Sequence, residues 1–274
     1  MTTLPPGPAA PAAAGATHVH REVAEGFGDD AGRYDRARPT YPAELVERIV
    51  AASPGRRVLD AGCGTGICAR LFQAAGCQVL GVDPDPRMAE RARQGGTEVE
   101  VARFEDWDPA GRAFDAVVAA QAWHWVDPVA GAAKAAAALR PGGRLAVLWN
   151  AFDPPPGLRA AFTALFQRVM PGSPGGNYWA RPALDAYRVM GGRAADGIRA
   201  AGAFGEPQEW LSHWSRPYTR DEWLDLVPTT GGFGRLPAGV QAELLAGLGT
   251  AVDAAGGAFT MGYATLAVTA ARRG

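Results

Sequence analysis

Short apolar runs recur along the first half of the chain, each ending in an acid or a turn and each followed by a helical pattern. They are Val58-Leu59, Val79-Leu80-Gly81-Val82, Val99-Glu100-Val101-Ala102 and Phe114-Asp115-Ala116-Val117-Val118-Ala119-Ala120. The last is nearly continuous in apolar residues, as a strand covered on both faces of a parallel sheet must be. A fifth, residues 144–150, follows an alanine-rich helix expected over 128–139. Between them, Leu45, Val46, Ile49 and Val50 fall on one face of a helix with Pro42 at its start, and residues 65–75 read as a helix closed by Gly76. Strands alternating with helices predict a parallel sheet with helices on both faces. Beyond Asn150 the pattern changes. Pro154, Pro155 and Pro156 break the chain; helices are expected over 158–169, 183–190 and 238–246, and strands over 209–215 and 259–269. Thr219 and Glu222 have the spacing of a capping box at a further helix start. The sum is a seven-stranded, mostly parallel sheet whose last strand is antiparallel.

Length and charge narrow the reading. With 274 residues the chain suits one α/β unit carrying an insertion, expected as a helical cap over 151–200, with 201–274 completing the sheet. A net charge of −1 and interspersed charges argue against a protein that holds nucleic acid by a broad basic surface. Cys63, Cys68 and Cys77 have no metal-ligand spacing and no even count for pairing, which suits a reducing compartment. No run of about 18 apolar residues occurs, so the expectation is a soluble, cytoplasmic protein with no membrane partner. Residues 1–20, rich in Pro and Ala, are expected to be a disordered tail, with His18 and His20 in or beside it and solvated. Lys134 is the single lysine among 27 basic residues, and Ala, Gly and Pro are abundant, which suggests a bacterial genome of high G+C content.

The candidate chemistry centres on Val58-Leu59-Asp60-Ala61-Gly62-Cys63-Gly64-Thr65-Gly66. A strand runs into glycines and then a helix start, so that a ligand can lie against bare backbone. The dinucleotide fingerprint places a third glycine where this chain has Ile67. Asp83, about 20 residues past the loop at the tip of the second strand, is placed to accept hydrogen bonds from two ribose hydroxyls. Gln121-Ala122-Trp123-His124-Trp125 follows the fourth strand, at the sheet edge where ligands bind, and sets one titratable group in an apolar box. Desolvation there lowers the histidine pKa, so His124 is a candidate general base, or else a residue that orders the helix start. No metal site is expected.

Asp60-x-Gly62-x-Gly64-x-Gly66 resembles the first motif of class I S-adenosylmethionine (SAM)-dependent methyltransferases. The Tyr34-x-x-x-Arg38-Pro39-x-Tyr41-Pro42 segment resembles the N-terminal lid of one branch, and Leu139-Arg140-Pro141-Gly142-Gly143 the approach to the fifth strand. The likeness, to a type 11 methyltransferase domain of the small-molecule branch, implies a Rossmann-like fold and SAM as cofactor. It implies that Tyr34 and Arg38 lie over the cofactor, Met88 packs on the adenine, and Phe104 and Glu105 read its edge, with Asp106 as a rival carboxylate. Gln121 is expected at the cofactor, and Trp123, Trp125, Asn150 and Tyr178 at a small organic substrate, a carboxylic acid or secondary metabolite. The acceptor is an O, N or C nucleophile, and a carboxylate would need no base. The oligomer is expected to be a monomer or homodimer. An NAD-dependent oxidoreductase and a SAM-binding protein without methyl transfer are the competing readings.

Overall fold

The computed structural model describes residues 26–173 and 175–274; the expected tail, with His18 and His20, lies outside them. Strands β1 (Arg57–Ala61), β2 (Gln78–Asp83), β3 (Glu98–Val101), β4 (Phe114–Ala120), β5 (Leu139–Asp153), β6 (Gln208–Thr219) and β7 (Ala258–Ala271) form one sheet in the order β3-β2-β1-β4-β5-β7-β6. Strands β1 to β5 are parallel, and β7 runs antiparallel to both β5 and β6, as the strand pattern predicts.

Alternation along the central strands explains the two layers of helices. Val58 and Val118 face α2 (Ala43–Ala51) and α3 (Ile67–Ala74), where they pack with Leu45, Ile49 and Phe72. Leu59 and Val117 point the other way, into a core shared with α5 (Pro128–Ala138) and α7 (Ala183–Ala200). These last two helices nearly touch: a Cβ added at Gly197 would lie 2.4 Å from the carbonyl oxygen of Pro128. The helix expected over 183–190 therefore continues to Ala200, and its second half, with Ala194 and Ile198, belongs to the layer on the sheet.

Strands β5, β6 and β7 run past the ends of their parallel neighbours and carry a second core. Phe152, Tyr218 and Tyr263 pack there against α6 (Pro156–Val169), α8 (Arg220–Leu226) and α9 (Ala238–Ala254), with Phe162 stacked on Trp223 at 5.7 Å. Burial of each such ring contributes roughly 1.5–3 kcal/mol. Leu248 and Val252 continue the stripe begun by Leu244 at four-residue spacing, which is why α9 outruns the expected end at residue 246.

Residues 27–42 are mostly helical. A 3₁₀ turn (Gly26–Asp30) leads into α1 (Ala31–Ala37), whose N-terminus is capped where Asp30 accepts from the Arg33 amide at 2.8 Å. Arg38 is extended at φ −63°, ψ 146°, the conformation that the following Pro39 imposes, and there the helix stops.

Candidate active site

The strand order reverses between β1 and β4, and a crevice at their carboxyl ends is the expected ligand site of an open α/β sheet. A cavity of about 510 Å³ occupies that place, within the ~300–1,000 Å³ range of small-molecule sites. Its floor is the loop that follows β1. Gly62, at φ +71°, could not carry a side chain, because a Cβ would sit 2.5 Å from that of Ala122. Gly64, at φ +55°, donates its N–H to Asp83 Oδ2 at 2.8 Å, while the Asp85 amide donates to Oδ1 at 3.0 Å. Each Asp83 oxygen thus keeps a lone pair for a ligand.

Two buried acids face this floor. Burial, and then the charge of Asp83, push Asp60 up to about 7. Burial also lifts Asp83 to about 6, against the two amides that favour its charge. Neither oxygen of Asp60 makes a hydrogen bond of normal geometry, although the Ala69 amide is close enough to favour its charge. A buried carboxylate left in that state calls for a cationic or donor partner.

Of the residues singled out from the sequence, Tyr34, Arg38, Asp60, Gly62, Gly64, Asp83, Met88, Phe104, Glu105, Gln121, Trp125 and Asn150 all line the cavity. Between the rival carboxylates the structure separates clearly: Glu105 lines the cavity and accepts from the Asp127 amide at 3.3 Å, whereas Asp106 is exposed. Gly66 does not line the cavity. At φ +82° it starts α3, and its open side packs on Thr97 and Ala92.

The expected substrate and catalytic residues are placed differently. Trp123 is buried against Phe104, ring centroids 6.2 Å apart, and supports the cavity wall from behind without lining it. His124 also lies off the lining. Its Nδ1 accepts from Trp149 Nε1 at 3.2 Å, and burial, with the nearby charge of Arg38, lowers its pKa to about 4. It is a neutral acceptor whose basic nitrogen is already engaged by an indole. Asn150 lines the cavity, but its amide is spent on the frame: Nδ2 donates to the Thr40 carbonyl at 2.8 Å, and Oδ1 accepts from Thr265 Oγ1 at 2.6 Å. Tyr178 stands edge-on to Trp179 at 4.8 Å, outside the cavity lining but within electrostatic reach of Arg38.

The lid is fastened by ion pairs. Asp35 of α1 meets Arg70 at 2.6 Å and Arg91 of α4 (Pro86–Gln94) at 2.9 Å; burial works to raise its pKa, and the two arginines hold it below the usual carboxylate value. Arg33 and Arg36 meet Asp225 of α8, and Asp29 meets Arg87. Phe27, which the sequence did not single out, lies 5.7 Å from Tyr34 and 6.5 Å from Trp125, so three aromatic rings wall the lid side. Among the described residues no cluster could hold a metal ion, and no helix is long and apolar enough to cross a membrane.

The crevice at the switch point, with an acid at the second strand tip and a bare glycine floor, has the size and lining of a site for a nucleoside-bearing ligand. The chain belongs to the methyltransferase-domain family, whose model matches residues 34–185. It is 40% identical over 139 residues to an uncharacterized methyltransferase of Mycobacterium tuberculosis, a match that covers 50% of this chain and 57% of that protein. It is 35% identical over 150 residues to the malonyl-[acyl-carrier protein] O-methyltransferase of Enterobacter lignolyticus, covering 50% of this chain and 60% of the relative. The matches thus span less than two thirds of the curated relatives. A structure from Anaeromyxobacter dehalogenans, described as a type II methyltransferase, shares the fold with a TM-score of 0.60 at 24% identity, covering 85% of this chain and 97% of that one.

Proposed function

We propose that this protein is a SAM-dependent methyltransferase that acts on a small organic molecule in the cytoplasm, as a monomer or homodimer. The observation that carries the reading is the buried, poorly satisfied carboxylate of Asp60 beside Asp83 on a glycine floor. A ligand with a ribose and an ammonium group suits those two acids. A dinucleotide would bring its diphosphate to the same loop, against two buried acids, which disfavours the NAD reading.

In this account Asp83 holds the ribose hydroxyls, and Asp60 the ammonium of the methionyl part. Phe104, Met88 and Glu105 contact the adenine, and Tyr34, Arg38 and Gln121 cover the cofactor from the lid and strand ends. When bound, SAM supplies an already reactive sulfonium methyl, so the protein contributes alignment and exclusion of water. Phe27, Tyr34 and Trp125 keep water from the lid side, and α6 with residues 175–182 forms the cap beside the acceptor. His124 serves as a neutral strut for Trp149. The relative named for O-methylation of malonyl-[acyl-carrier protein] supports oxygen as the acceptor atom.

The test is release of S-adenosylhomocysteine (SAH) from SAM in the presence of acceptor panels; no release with any acceptor, in a protein that binds SAM, would favour a binding module without transfer. Two variants refine it. His124→Gln is expected to change kcat by less than about 10-fold, since general-base removal typically costs ~10²–10⁴-fold; a loss in that larger range, with SAH affinity intact, would return His124 to the role of base. Asp35→Asn frees the lid from Arg70 and Arg91 and is expected to weaken SAH binding by about 3- to 10-fold in calorimetry, about 1 kcal/mol. Unchanged affinity would show that the lid does not touch the cofactor.

A further inference from the structure

The lid ends at residues 37–40, which bring Arg38 and Pro39 to the cavity, with Tyr41 directly after them. The last carbonyls of a helix and the extended residues beyond it have no intrahelical donors, and here the sheet supplies them. Asn150 Nδ2 of β5 donates to the Thr40 carbonyl at 2.8 Å, and Arg216 Nη1 of β6 reaches the carbonyls of Ala37 and Arg38 at 3.4 and 3.5 Å.

Behind Asn150 the bonding continues away from the cavity. Its Oδ1 accepts from Thr265 Oγ1 at 2.6 Å, directly across the β5 and β7 pair, and Thr265 Oγ1 accepts in turn from Trp214 Nε1 at 2.8 Å. Asn150 and Thr265 are 1% and 0% exposed, so water does not compete for these bonds. The direction of the chain is set at its ends. An indole N–H can only donate and a backbone carbonyl can only accept, so the Thr265 proton points to Asn150, and Asn150 turns its NH₂ to Thr40. Trp214 is fixed by stacking on Tyr263 at 4.3 Å, whose hydroxyl meets that of Tyr218 at 2.5 Å. The backbone carbonyl of Asn150 accepts at 3.2 Å from Nε2 of Gln121, a cavity residue held at the strained φ of +54°. Asn150 thus holds the end of the lid by its side chain and the end of β4 by its main chain.

We propose that Thr265 and Trp214, neither of which lines the cavity, are positioning residues for the cofactor site. With Asn150 they form a polarised chain that sets residues 37–40, and through them Arg38, Pro39 and Tyr41, over the bound ligand. The choice of SAH as probe rests on the SAM reading. Replacing Thr265 by valine keeps the shape but removes the proton that fixes the Asn150 amide. Thr40 then loses its donor whenever that amide turns.

The test compares the wild type, Thr265→Val, Thr265→Ser and Trp214→Phe with Thr269→Val, by calorimetric titration with SAH and by amide hydrogen exchange of peptides covering 37–41. Thr269 is the matched control. It lies on the same strand, is equally buried, accepts from Arg144 Nη1 at 3.1 Å and donates to the Leu145 carbonyl at 2.8 Å. Thr265→Val is expected to bind SAH about 3- to 10-fold more weakly than the wild type, with faster exchange at 37–41. Trp214→Phe is expected to move both readouts the same way by less. Thr265→Ser, which keeps the hydroxyl, and Thr269→Val are expected to stay within about 2-fold of the wild type in affinity. A merely structural threonine would lower Tm in both valine variants alike and leave affinity and local exchange unmoved. A Thr265→Val variant that keeps wild-type affinity or wild-type exchange, or a Thr269→Val variant that loses as much affinity, overturns the inference. Wild type that does not bind SAH overturns the cofactor reading instead, and exchange in the ligand-free proteins then decides the positioning role alone. If Thr265→Val does not fold, Trp214→Phe against Thr269→Val carries the same comparison.

Discussion

Asp83→Ala is expected to weaken SAH binding by about 100-fold or more, about 3 kcal/mol, because hydrogen bonds to a charged group are worth roughly 1.5–3 kcal/mol each. The loss has two sources. The carboxylate is placed to accept from two ribose hydroxyls, and it also holds the glycine loop through the Gly64 N–H at 2.8 Å. Asp83→Asn keeps the size and one acceptor oxygen, so it is expected to lose less than Asp83→Ala. Calorimetric titration of the three proteins with SAH checks the order. Equal affinity in all three would remove the ribose from this site.

Asp60→Asn is expected to act in opposite directions on the free and the bound protein. Folding raises the Asp60 pKa from 3.8 to about 7, so between those values the folded protein holds a proton that the unfolded chain has released. Stability of the free protein therefore rises as pH falls from about 7 towards 4, by up to about 4 kcal/mol from this group. Asp83, raised to about 6, adds to the same trend. Asp35, lowered by its arginines, works against it only as pH falls below the usual carboxylate range. Thermal melts without ligand should thus show Tm rising from pH 8 to pH 5, and Asp60→Asn should be more stable at pH 8 with much of that slope gone. Affinity for SAH should move oppositely, falling in the wild type as pH drops through about 7 and weakening in Asp60→Asn at every pH. A variant as tight as the wild type, or a free protein whose Tm falls steadily from pH 8 to pH 5, would mean that Asp60 is neither strained nor waiting for a cation.

The cavity floor was legible in the sequence because its residues sit at fixed distances from strand ends. Asp60, Gly62, Gly64, Asp83 and Glu105 each follow an apolar run, and the run places them at the carboxyl edge of the sheet. The acceptor side was not legible for a physical reason. Phe27 reaches the cavity only because α1 folds back across it. Asn150, His124 and Trp123 were read from their position at strand ends, but tertiary partners claim their polar groups or bury their rings: Thr40 and Thr265, Trp149, and Phe104. Helix lengths failed where the pattern is weak. The Gly191-Gly192 pair and the small residues of α7 conceal a stripe that is nevertheless buried on β5 and β7.

Titration of the wild-type protein in parallel with SAM, SAH and NAD tests the central claim most directly. Binding of both sulfur nucleosides with dissociation constants of about 1–100 μM, about −8 to −5 kcal/mol, and no heat from NAD, is the result this account requires. Preferential binding of NAD, or no binding of either SAM or SAH, would contradict it and leave the glycine floor as a nucleotide cradle of another kind.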